Sequence, residues 1–592
     1  MKNLCLLLLA LLGMEFSTYA QVAFVIPTAS FYYDVALDEK GNSFIFGLCG
    51  RDISKHDFDR GPEEYFVEPN GTFFLASYDV RGELRFAFSL DDLSPQQLGN
   101  YSLMFPTLSL DEQSNVYISG VFSGWIDFDP GQAKYDLMTE EITIEHGFLL
   151  SYSKDGDFRF VRDLGRTNNS KIYAETSKSG NTYLTYVLNG EVSLEGKNEG
   201  SVSVGESSQY SFILAFFDNK GRLTYSHPFY KGHLSINLAA RIGIDEAENV
   251  FLVNKLFRDI DLAPGQEVVD LGVDTVKEDF FYFAKYTSGG TFISAKLISN
   301  NFAEGFLGFP YEMDVSPNGD FVLSGRTAGG AVFGLENQDA QKLVFPDLFF
   351  ASYSKTGEYK SSFTLGFPNS IQYDGSDASP LEVIFREDGK VVVAGFFRGN
   401  KDFDPSSGTA RIADVNYNLL NAFVATYDIS GNLEEILGLS SEKGESTILN
   451  ADINQNNQLL ISGEYSDEVD FDPSTDTLFL REYRKAPFLA LWNVDRVSGL
   501  NAGFGDKTFD FEIFPNPVTD QLQISLSGQT DTIEIKLLDA QGRLVETLLE
   551  GNTILTEQLF SWSRNPIIPA GTYFVQCIGN GFSLTKPIIL VK

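Results

Sequence analysis

A stretch of about 69 residues recurs seven times between Ser30 and Ser498. Its aligned turn sites are Gly41, Ser114, Gly180, Glu248, Gly319, Gly389 and Asn457. Each lies between an apolar strand-like run and a second run such as SFIFG, NVYISG, DFVLSG, KVVVAG or QLLISG. A second marker follows in every unit. It reads YDVRGEL at 78–84, YSKDGDF at 152–158, FDNKGRL at 217–223, YTSGGTF at 286–292, YSKTGEY at 353–359 and YDISGNL at 427–433, with WNVDRVSGL at 492–500 a degenerate last copy. A unit repeated at fixed period cannot bury its own apolar face and must stack on its neighbours.

The second unit, residues 106–165, shows what is being stacked. PTLSLDEQSNVYISG is a strand, a polar turn and a strand; GWIDFDPGQAKYDLMT is a hairpin with Pro130-Gly131 at its tip. GFLLSYSKDGDFRFVRDLG is another strand pair, turning at Asp155-Gly156. Alternating polar and apolar positions with such tips predict antiparallel strands and an all-β class. Two strand pairs per unit make a four-stranded sheet, and seven sheets set radially make a seven-bladed β-propeller. The middle hairpin explains a unit longer than the roughly 40–45 residues of a WD-type blade. Val22–Ile26 reads as an orphan last strand ahead of the first full unit, while the seventh unit lacks one after Val497. Their pairing would close the ring and leave no open sheet edge. An elongated solenoid is the competing architecture.

With 592 residues the chain accommodates one large repeat domain and a small one. Its N-terminus has Lys2, a leucine-rich run and Thr18-Tyr19-Ala20, the pattern of a secretory signal peptide over 1–20. The mature chain is expected to start at Gln21, with the repeats over 21–498 and no membrane-spanning segment. Asp and Glu number 81 against 44 Lys and Arg, a formal net charge of −37. A surface this acidic repels phosphate backbones, which argues against a nucleic-acid partner and suits solubility outside the cell or cation binding. Cys5 leaves with the signal peptide; Cys49 and Cys577 fall in different domains and read as small buried hydrophobes rather than a disulfide framework.

An acidic hairpin marks five units: DFDRG at 57–61, DFDPG at 127–131, DIDLAPG at 259–265, and DFDPS at 402–406 and 470–474. VSLEG at 192–196 and AVFGL at 331–335 stand in its place in the third and fifth units. Residues two apart on a strand share a face, so Asp57 and Asp59, Asp127 and Asp129, Asp259 and Asp261, Asp402 and Asp404, and Asp470 and Asp472 form pairs while Phe58 and Phe128 point into packing. Such pairs offer a start on a Ca²⁺ site, which wants six to eight oxygens, but no third acid or distal Glu follows. Alternatively one Asp of each pair accepts N–H bonds in the turn while the other faces water. No catalytic residue stands out. His56, His146, His227 and His233 form no triad order or metal motif, the last two sharing the loop SHPFYKGH. The inter-unit loops carry aromatics beside polar groups, among them Tyr101, Tyr230, Phe306 and Tyr373. These rings suit sugar stacking or, equally, packing under their own loops.

Composition shifts at the Gly-bearing linker 499–510, and 511–592 reads as a small Ig-like β-sandwich with a hairpin tip at Asn580-Gly581. It contains Pro515-Asn516-Pro517 after FEIF, the run LLDAQGRLV, Ile568-Pro569-Ala570 followed by Gly571-Thr572-Tyr573, and KPIILVK from Lys586 to Lys592. With these residues it resembles the type A sorting domain of the type IX secretion system. The resemblance implies export across a Gram-negative outer membrane, with the secretion machinery as partner. It further implies a terminal domain that is read by the translocon and often removed, leaving the cargo free or fixed to lipopolysaccharide. The repeat region also looks like the large propeller-type repeats attached to such domains. The functional expectation is a secreted or cell-surface binding module for glycan or protein. A hydrolase or lyase acting on extracellular polysaccharide is the alternative, and a structural surface-layer component the third.

Overall fold

The computed structural model describes residues 20–24, 29–49, 56–59, 66–67, 73–90, 103–131, 133–141, 143–167, 171–196, 201–232, 240–256, 260–263, 269, 271–272, 280–300, 310–327, 332–335, 341–342, 347–364, 382–398, 402–406, 410, 412, 419–439, 441, 443–472, 478–494, 509–514, 518–519, 521–528, 530–539, 543–554, 558–565, 568–579 and 582–591. The chain divides into two units, one of Met1–Ser407 with Asp414–Arg496 and one of Gly408–Ala413 with Val497–Lys592.

Among the described residues, the first unit holds seven antiparallel sheets built on the same four-strand order, one of them extended to six strands, beside two two-stranded hairpins. In the first sheet, Ala29–Leu37, Ser43–Cys49, Phe73–Tyr78 and Leu84–Ser89 pair in succession. The other six sheets open with Leu103–Leu110, Tyr173–Thr176, Arg241–Ile244, Pro310–Val315, Glu382–Phe385 and Ser446–Ile453. These first strands touch in a closed cycle, each meeting the next and Ser446–Ile453 meeting Ala29–Leu37. An open solenoid would leave its two ends apart. The architecture is all-β and propeller-like.

Closure comes from the far end of the chain. Ala20–Phe24 runs antiparallel to Phe479–Asn493 as the fourth strand of the seventh sheet, with Val22 opposite Leu491 and Phe24 opposite Leu489. The paired segment starts two residues earlier than the expected Val22–Ile26, and residues 25–26 lie outside those described.

Apolar cores lie between successive sheets. Phe44, Phe46 and Leu75 of the first pack with Ile118, Phe148 and Leu150 of the second. On its other face, Ile45, Phe74 and Tyr78 meet Leu460, Leu489 and Leu491 of the seventh. Second and third strands are thus covered on both faces. Phe73–Tyr78 and Val391–Phe397 are buried at every position, in place of the alternation expected for a half-exposed strand.

Local chemistry sets the turns. All seven aligned turn sites have positive φ, from 54° at Asn457 to 92° at Gly319. Ser114 and Glu248 adopt it without being glycine, a strain of about 1–2 kcal/mol. Each reaches back to the turn of the preceding sheet. Ser114 Oγ donates to Asp38 Oδ2 at 3.0 Å, and the Glu248 carboxylate accepts from Ser179 Oγ at 2.6 Å and Asn181 Nδ2 at 3.0 Å. The middle hairpins hang on a second repeated bond. Tyr78, Tyr152 and Tyr427 donate their hydroxyls to the carbonyls of Phe58, Phe128 and Phe403 at 2.9, 2.7 and 2.8 Å. Trp492 Nε1 donates to Phe471 at 2.9 Å. The third unit has Phe217 where these carry a donor, and it lacks the acidic hairpin as well.

The second unit has a three-stranded sheet of Phe509–Phe514, Gln521–Gly528 and Gln558–Ser563. A four-stranded sheet orders Leu544–Ile554, Thr530–Asp539, Gly571–Gly579 and Phe582–Leu590. Leu522, Ile524 and Trp562 of one sheet share a core with Ile535, Val575, Cys577 and Ile588 of the other, the arrangement of a sandwich. Arg564 ties the terminal segment down: its Nη2 donates to the Ile568 carbonyl at 2.8 Å and its Nη1 to that of Val591 at 2.5 Å.

Removing residues 21–24 from the mature chain leaves Phe479–Asn493 as an open edge. The deletion is expected to lower the melting temperature of the repeat unit and promote self-association. An unchanged melting curve would contradict closure by this strand.

Candidate functional site

Each first strand ends at a turn residue whose carbonyl accepts the N–H of the positive-φ site: Asp38, Asp111, Ser177, Asp245, Ser316, Arg386 and Asn454. Four residues before these stand Asp34, Thr107, Tyr173, Arg241, Glu312, Glu382 and Asn450. All seven are polar or amphipathic, and all seven line one cavity of about 200 Å³. Two residues before the turn stand Ala36, Ser109, Glu175, Gly243, Asp314, Ile384 and Asp452, of which Ser109 and Glu175 reach the same cavity. Period-two geometry puts both sets on one face of each first strand. The cavity therefore sits where the first strands of all seven sheets converge.

The charged groups on and beside the first strands fall into two sets. The first is a set of carboxylate straps between sheets. Asp34 accepts from its own neighbour Val35 at 2.8 Å and from Leu108 of the second sheet at 2.6 Å. Asp314 does the same with Val315 at 2.7 Å and Phe385 of the sixth sheet at 2.6 Å. Asp452 bonds Ile453 at 2.8 Å and Leu37 of the first sheet at 2.7 Å, so one strap spans the closure. Burial pushes Asp34 up to about 7, Asp314 to about 6 and Asp452 to about 7, outweighing the amides that lower each.

The second group faces the cavity. Arg241 Nη1 lies 3.4 Å from Glu312 Oε1, and its guanidinium sits 4.1 Å from the Tyr173 ring centroid. Lys171 Nζ is 5.1 Å from the same ring. Burial raises Glu175 well above the carboxylate range, and the charges of Asp314, Glu312, Asp452 and Asp34 add to it. Glu382 is raised by burial and then by Glu312 and Asp34, against Lys171 and Arg241.

The acidic hairpins use their carboxylates locally. Asp57, Asp127, Asp402 and Asp470 accept the N–H groups of Asp59, Asp129, Asp404 and Asp472 at 3.0–3.1 Å. Asp127 and Asp470 also hold Tyr135 and Leu478 across the hairpin at 3.0 and 2.8 Å. Asp129 and Asp404 cap the tips through Gly131 and Ser406, each at 2.8 Å, and Asp261 bonds Ala263 at 3.1 Å. Asp259 lies outside the described residues. Phe58, Phe128, Phe403 and Phe471 are fully buried. Among the described residues no group of three or more His, Cys, Asp or Glu is arranged to hold a metal ion.

Of the loop aromatics, Tyr101, Phe306 and Tyr373 lie outside the described residues. Tyr230 belongs to the strand Leu223–Gly232, opposite Phe212, rather than to a loop. His227 is buried with Nε2 3.0 Å from the Asp261 carbonyl oxygen, and His233 is not described. His146 sits between Asp163 at 3.0 Å and Glu140 at 3.2 Å. Cys49 and Cys577 are free and buried, and burial pushes both thiols up to about 12. In the second unit, Gly571 and Lys586 pair into the terminal sheet and Tyr573 donates to the Pro569 carbonyl at 3.1 Å. Pro515, Asn516, Pro517 and Lys592 lie outside the described residues. The channel residues were missed in the sequence, although the polar position four before each turn was a signal open to reading.

Residues 512–592 match the family described as the secretion system C-terminal sorting domain. No curated protein matches the chain. Among solved structures, a Dyadobacter fermentans protein of unknown function is 11% identical with a TM-score of 0.33, over 68% of this chain and 99% of that one. The intramolecular trans-sialidase from Ruminococcus gnavus is 10% identical with a TM-score of 0.32, over 81% and 98%. An exo-inulinase from Aspergillus awamori is 10% identical with a TM-score of 0.24, over 81% and 98%. Likenesses this remote bear on neither activity nor ligand. Among the described residues no helix is long and apolar enough to cross a membrane.

The straps predict a pH dependence. Asp34, Asp314 and Asp452 hold their protons more tightly folded than unfolded, so the stability they contribute is complete below 3.8 and is lost as pH rises through about 6–7. Melting temperature is expected to be higher near pH 5 than near pH 8, with Asp34→Asn and Asp452→Asn each flattening the slope; a profile rising from pH 5 to pH 8 would contradict this.

Proposed function

We propose that this chain, whose residues 512–592 are a secretion system C-terminal sorting domain, is an extracellular binding module. The sorting domain directs it through the periplasm to the cell surface or beyond. The repeat unit then serves as seven blades around the polar channel, and a glycan or protein ligand docks where the first strands begin.

One observation carries the reading: all seven first strands contribute a polar or amphipathic residue to a single cavity. A channel that served packing alone would be filled with aliphatic side chains, since unpaired buried polar groups are destabilising. Binding is favoured over hydrolysis for two reasons. Asp34, Asp314 and Asp452 are committed to backbone amides. A cavity of about 200 Å³ is also below the roughly 300–1,000 Å³ of small-molecule pockets, so a glycan or protein would dock over its mouth with one protruding group inside rather than have a scissile linkage enclosed. The hydrolase reading draws on Glu175, Glu312 and Glu382 sharing the cavity with Arg241, since paired acids carry glycoside hydrolysis.

Glycan and surface-protein arrays probed with the exported protein, beside polysaccharide turnover assays, separate the two. Binding without turnover is the expected result; turnover abolished by Glu312→Gln would reverse the assignment. Truncation before residue 512 is expected to leave folded cargo in the periplasm, and normal surface delivery of that truncation would refute the sorting role.

A further inference from the structure

We propose that His146 is a proton-operated latch: its imidazolium ties Glu140 to Asp163, and loss of the proton releases the segment that leads into the strand Glu145–Tyr152 and steadies the entry to the third sheet. The proposal goes beyond the binding reading and does not depend on it.

The geometry asks for a proton on each ring nitrogen. His146 Nδ1 lies 3.0 Å from both carboxylate oxygens of Asp163, on the neighbouring strand Phe158–Arg166. Its Nε2 lies 3.2 Å from Glu140 Oε2. A neutral imidazole has one N–H and one lone pair, so it can donate to one of the two carboxylates and must turn its lone pair on the other. Asp163 is the partner that stays. It presents both oxygens and also accepts the Gly165 N–H at 2.8 Å, whereas Glu140 is exposed and can turn to water. The ring is buried, edge-on to Phe122 at 6.0 Å between centroids. Glu145 stands beside it on its own strand, and the exposed Arg166 pairs with it across the ladder. The Tyr186 hydroxyl, buried in the third sheet, feels the Asp163 charge. Burial alone would make the imidazole less basic, but Asp163 and then Glu140 more than offset it, so it holds its proton above the ordinary 6.5.

The latch sits where none of the three carboxylate straps reaches: they join the first sheet to the second, the fifth to the sixth and the seventh to the first. On the way from the second sheet to the third, the Thr167 N–H donates to the Glu145 carbonyl at 2.7 Å, one residue from His146. Gly147, on the other side of His146, has no side chain, and Ile172 packs over it; a Cβ there would lie 2.7 Å from Ile172 Cδ1. Ile172 is fully buried and stands between Lys171 and Tyr173, which line the cavity. The residues flanking His146 therefore hold the chain as it enters the third sheet. Protonated, His146 fixes them to Asp163 and Glu140 at once; deprotonated, it keeps Asp163 alone. A group that binds its proton more tightly when folded stabilises below its unfolded value and stops doing so as pH rises through the folded one, so release falls above 6.5.

The test is hydrogen exchange read by mass spectrometry on the full-length chain at about pH 6 and about pH 9, with intrinsic rates corrected for pH. Peptides covering 143–152 and 158–167 are expected to lose at least about tenfold in protection at the higher pH, measured against Phe280–Tyr286, the equivalent strand of the fourth sheet and one that no strap touches. Glu140→Gln is the deciding variant, and since Glu140 is exposed it leaves the core intact. Its amide can donate to Nε2 of the neutral ring, so protection is expected to persist at both pH values and the step to vanish. A contact that served only structure would lose protection at both. Selective carbon-13 labelling of the four histidines gives a second readout in the native chain: the His146 resonance, assigned through His146→Gln, is expected to titrate above 6.5 and to move down in Glu140→Gln. No step in the native chain, a step that survives in Glu140→Gln, protection lost in that variant at both pH values, or a His146 resonance titrating below 6.5 overturns the proposal.

Discussion

The structure depends on the inability of any one sheet to cover itself. Second and third strands such as Phe73–Tyr78 are apolar on both faces, so each sheet needs a neighbour on either side. A linear stack would satisfy every sheet but the two at its ends. Bringing the seventh against the first, where Leu489 and Leu491 meet Ile45 and Phe74, removes both exposed faces at once. Ala20–Phe24 then finishes the last sheet from the opposite end of the chain, so the ring is fastened by backbone bonds as well as by packing.

Packing alone does not set the register of one sheet against the next. Directional bonds do that at several radii. Near the axis, the carboxylates of Asp34, Asp314 and Asp452 reach across to the next first strand. At the turns, Ser114 and Glu248 bind the preceding sheet, and Asn454 Nδ2 donates to the Asp38 carbonyl at 2.9 Å across the closure. Farther out, the Arg85 and Arg159 guanidinium groups reach the carbonyls of Lys154 and Asn219. The same acidity that argues for an extracellular chain is thus partly structural. Carboxylates accept N–H groups in the straps and hairpins, where amide donors are abundant and lysines few.

The hairpin aspartates and the channel carboxyls show how differently two acidic sets can be employed. Asp127 and Asp470 each hold two amides of a tight hairpin whose central Phe is anchored through its carbonyl. Their recurrence reflects a turn that must be rebuilt in five units. Glu175 and Glu382 lie instead in a shared cavity, where no turn requires them. Asp34, Asp314 and Asp452 combine both settings, being half-buried near the axis yet bound to backbone.

Much of the architecture was legible because it is local and repeated. Positive-φ turns, strand pairs and the orphan N-terminal strand are written in short motifs, and the sorting domain carries its own, such as Gly571-Thr572-Tyr573. The candidate site was not legible in that way. Asp34, Arg241, Glu312 and Glu382 are single polar residues in separate units, unremarkable one at a time and hundreds of positions apart. By itself the sequence determined that units stack, that they are β, and that the chain is exported. Only the tertiary structure decided which acids share a cavity and which are tied to amides. Convergence on an axis is a property of all seven sheets together, and no single repeat contains it.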